Sequence, residues 1–454
     1  MIDKNTAYVY HDLPSGYTTG SLTENEFYGT THEALQAALD YLNNNGGGVL
    51  KVTPGVYTIN GTAATGSTTV GGVNALKLYS NITIKPWLSG IRDLDTVSGT
   101  SVVFKSSSIE ENASIVSIYG NDVDAICNVN LINIKFDGVI GVDTEGNPRY
   151  CKSAVFMKHA KSCNITKCEF KYFSATLDIR DSHNVYIDDS IIVVNNGIGI
   201  AGVNSSIVLS DAIITGNYVG TGIDCDSCYV YTNSRSLIQS LLVGITVTNN
   251  SKLYVKDTSF DECIREAINV QGNSTFNIHD ITIMRHEDVY DNSVSFTGIT
   301  VSDCLKGKMT YVSTTVERPV VITNSSGISI SNLSVRNYIK DITALELNAI
   351  QLINTTMSIV NDITVHNFTN AVVMGLGCKF CNVANLVTKD CFGKGVAMND
   401  CHYNMLINIT STDTEYGIYM INSTHNMVTG STFKAIEYAG ENNMCDPTLN
   451  NQVV

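Results

Sequence analysis

The chain has 454 residues and a net charge of −15, with 43% of residues apolar and only 16% charged. Such an acidic chain is a poor partner for nucleic acid, whose affinity depends on Lys and Arg neutralising phosphates, and no apolar stretch reaches the length needed to span a bilayer. Glycine outnumbers proline 35 to 6, so turns must come from Gly, Asn, Asp and Ser, and the low charge suits a sheet-rich protein.

Residues 1–29 have no clear period. Tyr8, Tyr10, Tyr17, Phe27 and Tyr28 give this N-terminal segment apolar anchors for packing on a partner or on the mouth of a solenoid formed by the rest of the chain. The first ten residues contain no apolar h-region, so no secretory signal is expected. Residues 30–60 read as a capping helix and a first strand. Thr30 and Glu33 have capping-box spacing, and Leu35, Ala38, Leu39 and Leu42 form a stripe at helical period. The helix is expected over 30–45. Gly46-Gly47-Gly48 ends it, Val49–Val52 comes next as a strand, and Pro54-Gly55 turns the chain.

Residues 61–454 are dominated by a repeat. Short alternating strands close on a polar residue at Asp189, Asp211, Asp257, Asp280, Asn332, Asp362, Asn385, Asn408 and Ser431, in steps of about 22–23 residues or multiples with insertions. Turn chemistry explains this column, because stacked Asp and Asn can hold a corner by bonding neighbouring backbone. A second strand precedes each closing residue (Leu177-Asp178-Ile179, Ile245-Thr246-Val247, Ile268-Asn269-Val270) and a third comes after it (Ile281-Thr282-Ile283). Three alternating strands per coil describe an all-β, single-stranded right-handed parallel β-helix with three parallel sheets behind a short capping α-helix. Insertions are expected near 138–152, 286–320 and 337–348.

The 13 cysteines are odd in number and sit mostly inside apolar runs. That predicts reduced, buried thiols in a chain folded in a cytosol. Cys225/Cys228 and Cys378/Cys381 lie too far apart to share four zinc ligands, although Cys401 and His402, one coil beyond Cys378, leave a small local metal option. Buried structural thiols are the preferred reading. Asn164, Asn273 and Asn408 begin N-x-S/T triplets that read as turns. No metal or cofactor is expected.

From Thr30 to Tyr57, the helix, the Gly run, the Val-rich strand and Pro54-Gly55-Val56-Tyr57 resemble the leading module of the pectate-lyase-like superfamily of β-helix proteins. Within it, the missing signal and reduced thiols are most similar to bacteriophage tailspikes and capsule depolymerases. That resemblance implies a protein folded in the host cytoplasm and carried on the virion tail, usually a homotrimer. Its partners would be a bacterial surface polysaccharide and, through residues 1–29, other tail proteins. The expected activity is depolymerisation by a glycoside hydrolase or polysaccharide lyase. A non-catalytic glycan-binding virion or surface protein, and an exported bacterial lyase or epimerase, are the alternatives. No catalytic residue carries over by motif: the Gly-His-Gly of the polygalacturonase branch and the Arg-x-Pro-x-x-Arg of the pectate-lyase branch are both absent.

Candidate chemistry therefore comes from spacing. Three neighbouring coils place Asp178 and Arg180, then Gly199 and Ala201, then Asp224 and Asp226 at outward positions of one sheet. With strands about 4.8 Å apart, Asp178 and Asp224 should flank a notch at Gly199 and Ala201, roughly 9–10 Å apart, near the upper end of the range for inverting glycosidases. Arg180 would bias one carboxyl toward its ionised form. Outward carboxylates are more commonly plain solvated groups, which is the competing expectation. A second cluster, Asp261, Glu262, Arg265 and Glu266, with Arg285, His286, Glu287 and Asp288 one coil later, is read as substrate-binding or as a salt-bridged corner.

Overall fold

In a computed structural model, the structure describes residues 3–59, 74–87, 101–107, 113–121, 123–142, 144–146, 148–285, 296–337, 347–411, 413–433, 435–445 and 452–453. The fold is a parallel β-helix. It divides into two compact units, 1–229 with 235–237, and 230–234 with 238–454.

In the first unit the helix runs His32–Asn44 and buries Leu35, Ala38, Leu39 and Leu42. Its N-cap is Thr31 rather than Thr30, and the capping box does not form. The Thr31 hydroxyl bonds the Glu33 carboxylate instead, while the Thr30 carbonyl accepts the Thr58 amide. Thr6–Tyr10 pairs in parallel with Gly48–Val52, which pairs with Ile82–Pro86. The N-terminal residues thus add a rung to the coil ladder. An antiparallel hairpin, Val139–Val142 with Pro148–Tyr150, interrupts the coils.

Each coil then offers one strand to a sheet ordered Asn74–Leu78, Ala113–Tyr119, Ser153–Lys158, Ala175–Arg180, Ile198–Val203 and Thr221–Asp226. The other two strands of each coil form ladders on the remaining faces, such as Ala160–Thr166, His183–Asp188 and Ser206–Ser210 and Glu169–Lys171, Ile191–Val194 and Ile213–Gly216.

In the second unit the corresponding sheet runs from Val243–Thr248 through Glu266–Gln271 and Thr297–Ser302 to Tyr416–Ile421 and beyond. Its other two ladders fuse. Thr275–Met284, Lys306–Thr314, Ile328–Arg336, Ile359–His366 and Asn382–Lys389 are continuous strands across both faces. Lys306–Thr314 and Arg318–Thr323 are regular rungs within a stretch expected as insertion. Ile245, Val247, Ile268 and Val270 are fully buried, as inward alternation requires.

The closing column makes the bend between two strands of a coil at Asp189, Asp211 and Asp257 and within one continuous strand from Asp280 on. Asp189, Asp211, Asp257, Asp280, Asn332, Asp362, Asn385 and Asn408 all have φ between +45° and +56°, a conformation that Asn and Asp tolerate best among non-glycine residues. In the last coil the left-handed residue is Gly430, not Ser431. Ser431 is buried, and its hydroxyl accepts the Ile409 amide. On the surface, Asn408 Nδ2 donates to Asn385 Oδ1 at 3.0 Å, and Asn385 Nδ2 to Asp362 Oδ1 at 2.9 Å.

Inside, small polar side chains accept amides from the preceding coil. The Ser205 amide bonds Cys228 Sγ at 3.4 Å, the Thr355 amide bonds Cys378 Sγ at 3.5 Å, and the Cys401 amide bonds Ser423 Oγ at 3.1 Å. A second internal column ends in Asn404, Asn426 and Asn443, each Oδ1 accepting the amide of the rung before it. This explains the cysteine distribution. All thirteen thiols are free, and only Cys127 and Cys445 are even half-exposed. Among the described residues no helix is long and apolar enough to cross a membrane.

Candidate functional site

The outward face of the first unit's sheet carries the predicted carboxylates. Pairing aligns Phe156, Asp178, Ala201 and Asp224 in one row. It aligns Lys158, Arg180, Val203 and Asp226 in the next outward row. Asp178 and Asp224 therefore lie two strands apart across Ala201.

Gly199 does not share that notch. In three neighbouring strands of this sheet the second and third residues are both buried, Thr176-Leu177, Gly199-Ile200 and Gly222-Ile223. The first of each pair lies in a corner packed against the previous face. A Cβ on Gly199 would sit 2.6 Å from the Gly222 carbonyl oxygen and near Val194 and Ile214. Glycine is there for close packing, and Ala201 alone separates the carboxylates.

Asp178 is only 5% exposed. Arg180 grips both its oxygens, Nε to Oδ1 at 2.8 Å and Nη2 to Oδ2 at 2.9 Å. This bidentate ion pair holds the guanidinium pKa above its ordinary value. The same guanidinium lies 5.6 Å from the Phe156 ring centroid, a cation–π distance. Phe156 stacks with Tyr119, centroids 6.4 Å apart, and Lys158 Nζ lies 6.0 Å from the Tyr119 ring.

Asp224 differs. It is half-buried and has no hydrogen-bond partner among the described residues. Desolvation, and secondarily the charge of Asp226, push its carboxyl pKa up. Asp226 accepts a 2.8 Å bond from the Ser227 hydroxyl. Asp224 and Asp226 stand two residues apart on one strand, so both point outward, with Cα atoms about 7 Å apart. The face thus presents one carboxyl biased toward its protonated form beside one that is hydrogen-bonded, next to an Arg-aromatic platform. Sequence reasoning missed Phe156, Lys158 and Tyr119, although the alternation Ala154-Val155-Phe156-Met157-Lys158 is in register with Leu177-Asp178-Ile179 and could have shown them.

In the second unit the other cluster disperses. Asp261 ends a strand, Glu262 takes φ +51°, and Arg265 is exposed in the following turn. Glu266 joins a polar network on the sheet face, accepting from Asn269 Nδ2 at 3.0 Å and Thr300 Oγ1 at 3.3 Å, while Gln271 bonds Asn269 at 2.9 Å. His286, Glu287 and Asp288 lie outside the described residues. Arg285 forms a buried ion pair with Glu317, whose carboxyl pKa is pushed up by burial against the opposing charge of Arg285. Glu317 was not singled out from sequence. Among the described residues no group of three His, Cys, Asp or Glu side chains is arranged to hold a metal ion.

No protein-family model matches the chain, and no curated protein matches it in sequence. Solved structures do match in fold. DFA-IIIase from Arthrobacter chlorophenolicus A6, in complex with DFA-III, is 14% identical over 90% of this chain and 95% of its own, with a TM-score of 0.51. PfbA, a surface adhesin of Streptococcus pneumoniae, is 11% identical over 81% of this chain and 88% of its own, at 0.49. The tailspike of E. coli bacteriophage HK620, solved with a pentasaccharide, is 11% identical over 91% of this chain and 74% of its own, at 0.41. At these identities the likeness is one of fold alone.

Proposed function

We propose that this chain binds and depolymerises a bacterial surface polysaccharide on the outward face formed by coils 113–226. The supporting observation is the pair Asp224 and Asp226, two neighbouring carboxyls on one outward strand face, of which Asp224 is half-buried with its carboxyl pKa raised by desolvation and then by the charge of Asp226, beside the Arg180–Phe156 platform. Asp224 is the general acid and donates its proton to the glycosidic oxygen as the bond to the anomeric carbon breaks. Asp226 is the base and takes a proton from the water that attacks that carbon. The reading is an inverting hydrolysis, with the attacking water held between the two carboxyls. Asp178 is not assigned as base, because Arg180 occupies both its oxygens. It holds the guanidinium over the Phe156 ring at 5.6 Å, where the pair can bond sugar hydroxyls or a uronate.

In this reading the protein stands on a virion or cell surface as a homotrimer, and residues 1–29 meet other tail proteins. Glu266, Asn269 and Gln271 form a second patch of saccharide-bonding groups. A non-catalytic glycan binder is the second reading, favoured by the platform itself, which needs no proton transfer to bind sugar.

The test is incubation with a panel of bacterial surface polysaccharides, measuring new reducing ends and the ultraviolet absorbance of unsaturated uronates. Reducing ends without absorbance identify a hydrolase, and absorbance identifies a lyase. Asp224→Asn and Asp226→Asn should each slow cleavage roughly 100- to 10,000-fold with binding retained. Wild-type rates in both variants would overturn the assignment, and binding without product would leave the second reading.

A further inference from the structure

The second unit carries a column of exposed bulky side chains on left-handed backbone. Parallel bridges stack Ser326, Thr356, Lys379, His402 and Thr424, so the next residues, Gly327, Met357, Phe380, Tyr403 and His425, form successive rungs. Their φ angles are +65°, +49°, +56°, +59° and +58°, and Asn442 continues at +60°. Gly and Asn at the two ends are what such a position ordinarily selects. Met, Phe and Tyr between them each cost roughly 1–2 kcal/mol of backbone energy, which stacking of Phe380 on Tyr403 offsets only in part, and Met357, Phe380 and Tyr403 remain 63%, 60% and 51% exposed. Two residues further along the Met357, Tyr403 and Asn442 rungs, Ile359, Met405 and Met444 are 48%, 36% and 63% exposed, while Asn382 and the half-buried Met427 hold that place on the rungs between.

We infer that this Met and aromatic strip is the surface through which each copy of the chain meets the next in the self-assembly of the proposed function, a step that rests on that reading and gives it a face. At about 200 Å² per large side chain, the six residues expose on the order of 650 Å². That exceeds the usual apolar patch of a monomer and approaches the roughly 800 Å² each partner contributes to a standard interface. None of the six is charged, on a chain of net charge −15. The exposed Lys379 beside Phe380, and Asp400, which bonds His402 at 3.3 Å, bring one charge of each sign to the edge of the strip, a polar rim around an apolar centre, and enrichment in Met and aromatics marks interface centres. The rungs repeat at the coil spacing, so an identical strip offers matching periodicity. A saccharide fits less well. Phe380, Tyr403 and His425 stack on one another at 5.5 and 4.9 Å with planes within 15° and 23°, which covers the ring faces that sugars use and leaves edges.

The experiment is sedimentation of the full chain at micromolar concentration beside the triple variant Met357→Asn/Phe380→Asn/Tyr403→Asn. Asn suits left-handed backbone, so the change removes apolar surface without adding strain. The wild type should sediment above the 49.2 kDa monomer, and the variant as a monomer with an unchanged circular dichroism spectrum. Should the triple variant not fold, Tyr403→Asn alone decides: at least tenfold weaker association supports the inference, and unchanged association overturns it. A wild-type assembly matched by the folded triple variant would move the contact elsewhere while leaving self-assembly standing. A monomeric wild type would overturn both, and one whose strip variants lose glycan binding would assign the strip to sugar.

Discussion

Replacing Asn404 with Ala tests the idea that the coils are locked from inside by side chains bonding backbone. Asn404 is 2% exposed. Its Oδ1 accepts the Cys381 amide at 2.9 Å, and its Nδ2 donates to the Cys378 carbonyl at 3.1 Å. The Cys378 carbonyl keeps a partner after truncation, because it also accepts the His402 amide at 3.0 Å. Asn426 Oδ1 likewise keeps the Asn404 amide at 3.0 Å. One buried donor, the Cys381 amide, is orphaned, at about 1–3 kcal/mol. With the small void left behind, the expected loss is about 2–4 kcal/mol. The contrasting change is Asn385→Gly on the surface column, where φ is +51°. Only exposed hydrogen bonds are lost there and glycine accepts the conformation, so the effect should stay within about 1 kcal/mol. Urea denaturation followed by circular dichroism gives both values, and hydrogen exchange reports the Cys381 amide directly. A loss under about half a kcal/mol for Asn404→Ala, or equal losses for the two variants, would refute internal locking.

Truncating the fully buried Ile268 to Ala should cost about 2–5 kcal/mol in the same assay, and a near-neutral result would mean the inward phase of that strand is misplaced. Asp224 supplies a pH test. Its pKa is raised in the folded state, so its contribution to stability is fully present below the unfolded carboxyl pKa and is lost as pH rises through the folded value. Asp224→Asn should therefore unfold at higher temperature than wild type at neutral pH, with the gap closing as the solution is acidified below the raised pKa. A gap that widens on acidification would mean that the folded-state pKa is lowered instead.

Much of the architecture was legible in the sequence because its causes are local. The stripe Leu35, Ala38, Leu39 and Leu42 fixes the helix face, and the Asp/Asn column marks the bends because left-handed backbone selects those residues. What was illegible depends on neighbours. Alternation places Gly199 outward, yet the corner buries two consecutive residues per rung, and that break in period 2 comes from packing between faces. The same limit shows at the termini of repeats, where Gly430 and Thr31 take the places expected of Ser431 and Thr30 one residue away. Asp178 was found as an outward carboxylate, but its near-complete burial comes from Arg180 folding back over Phe156, a side-chain event that spacing does not encode.

The interior acceptor column makes the protein its own unfolding clock. Because Ser, Thr and Cys interchange as amide acceptors along it, sulfur is spread over many rungs and shielded in each. A thiol reagent added to the native protein meets only Cys127 and Cys445 at partial exposure, while eleven further thiols wait behind closed coils. Timed alkylation followed by peptide mass analysis would then record the order in which individual rungs open, from one cysteine to the next, with no label added to the chain.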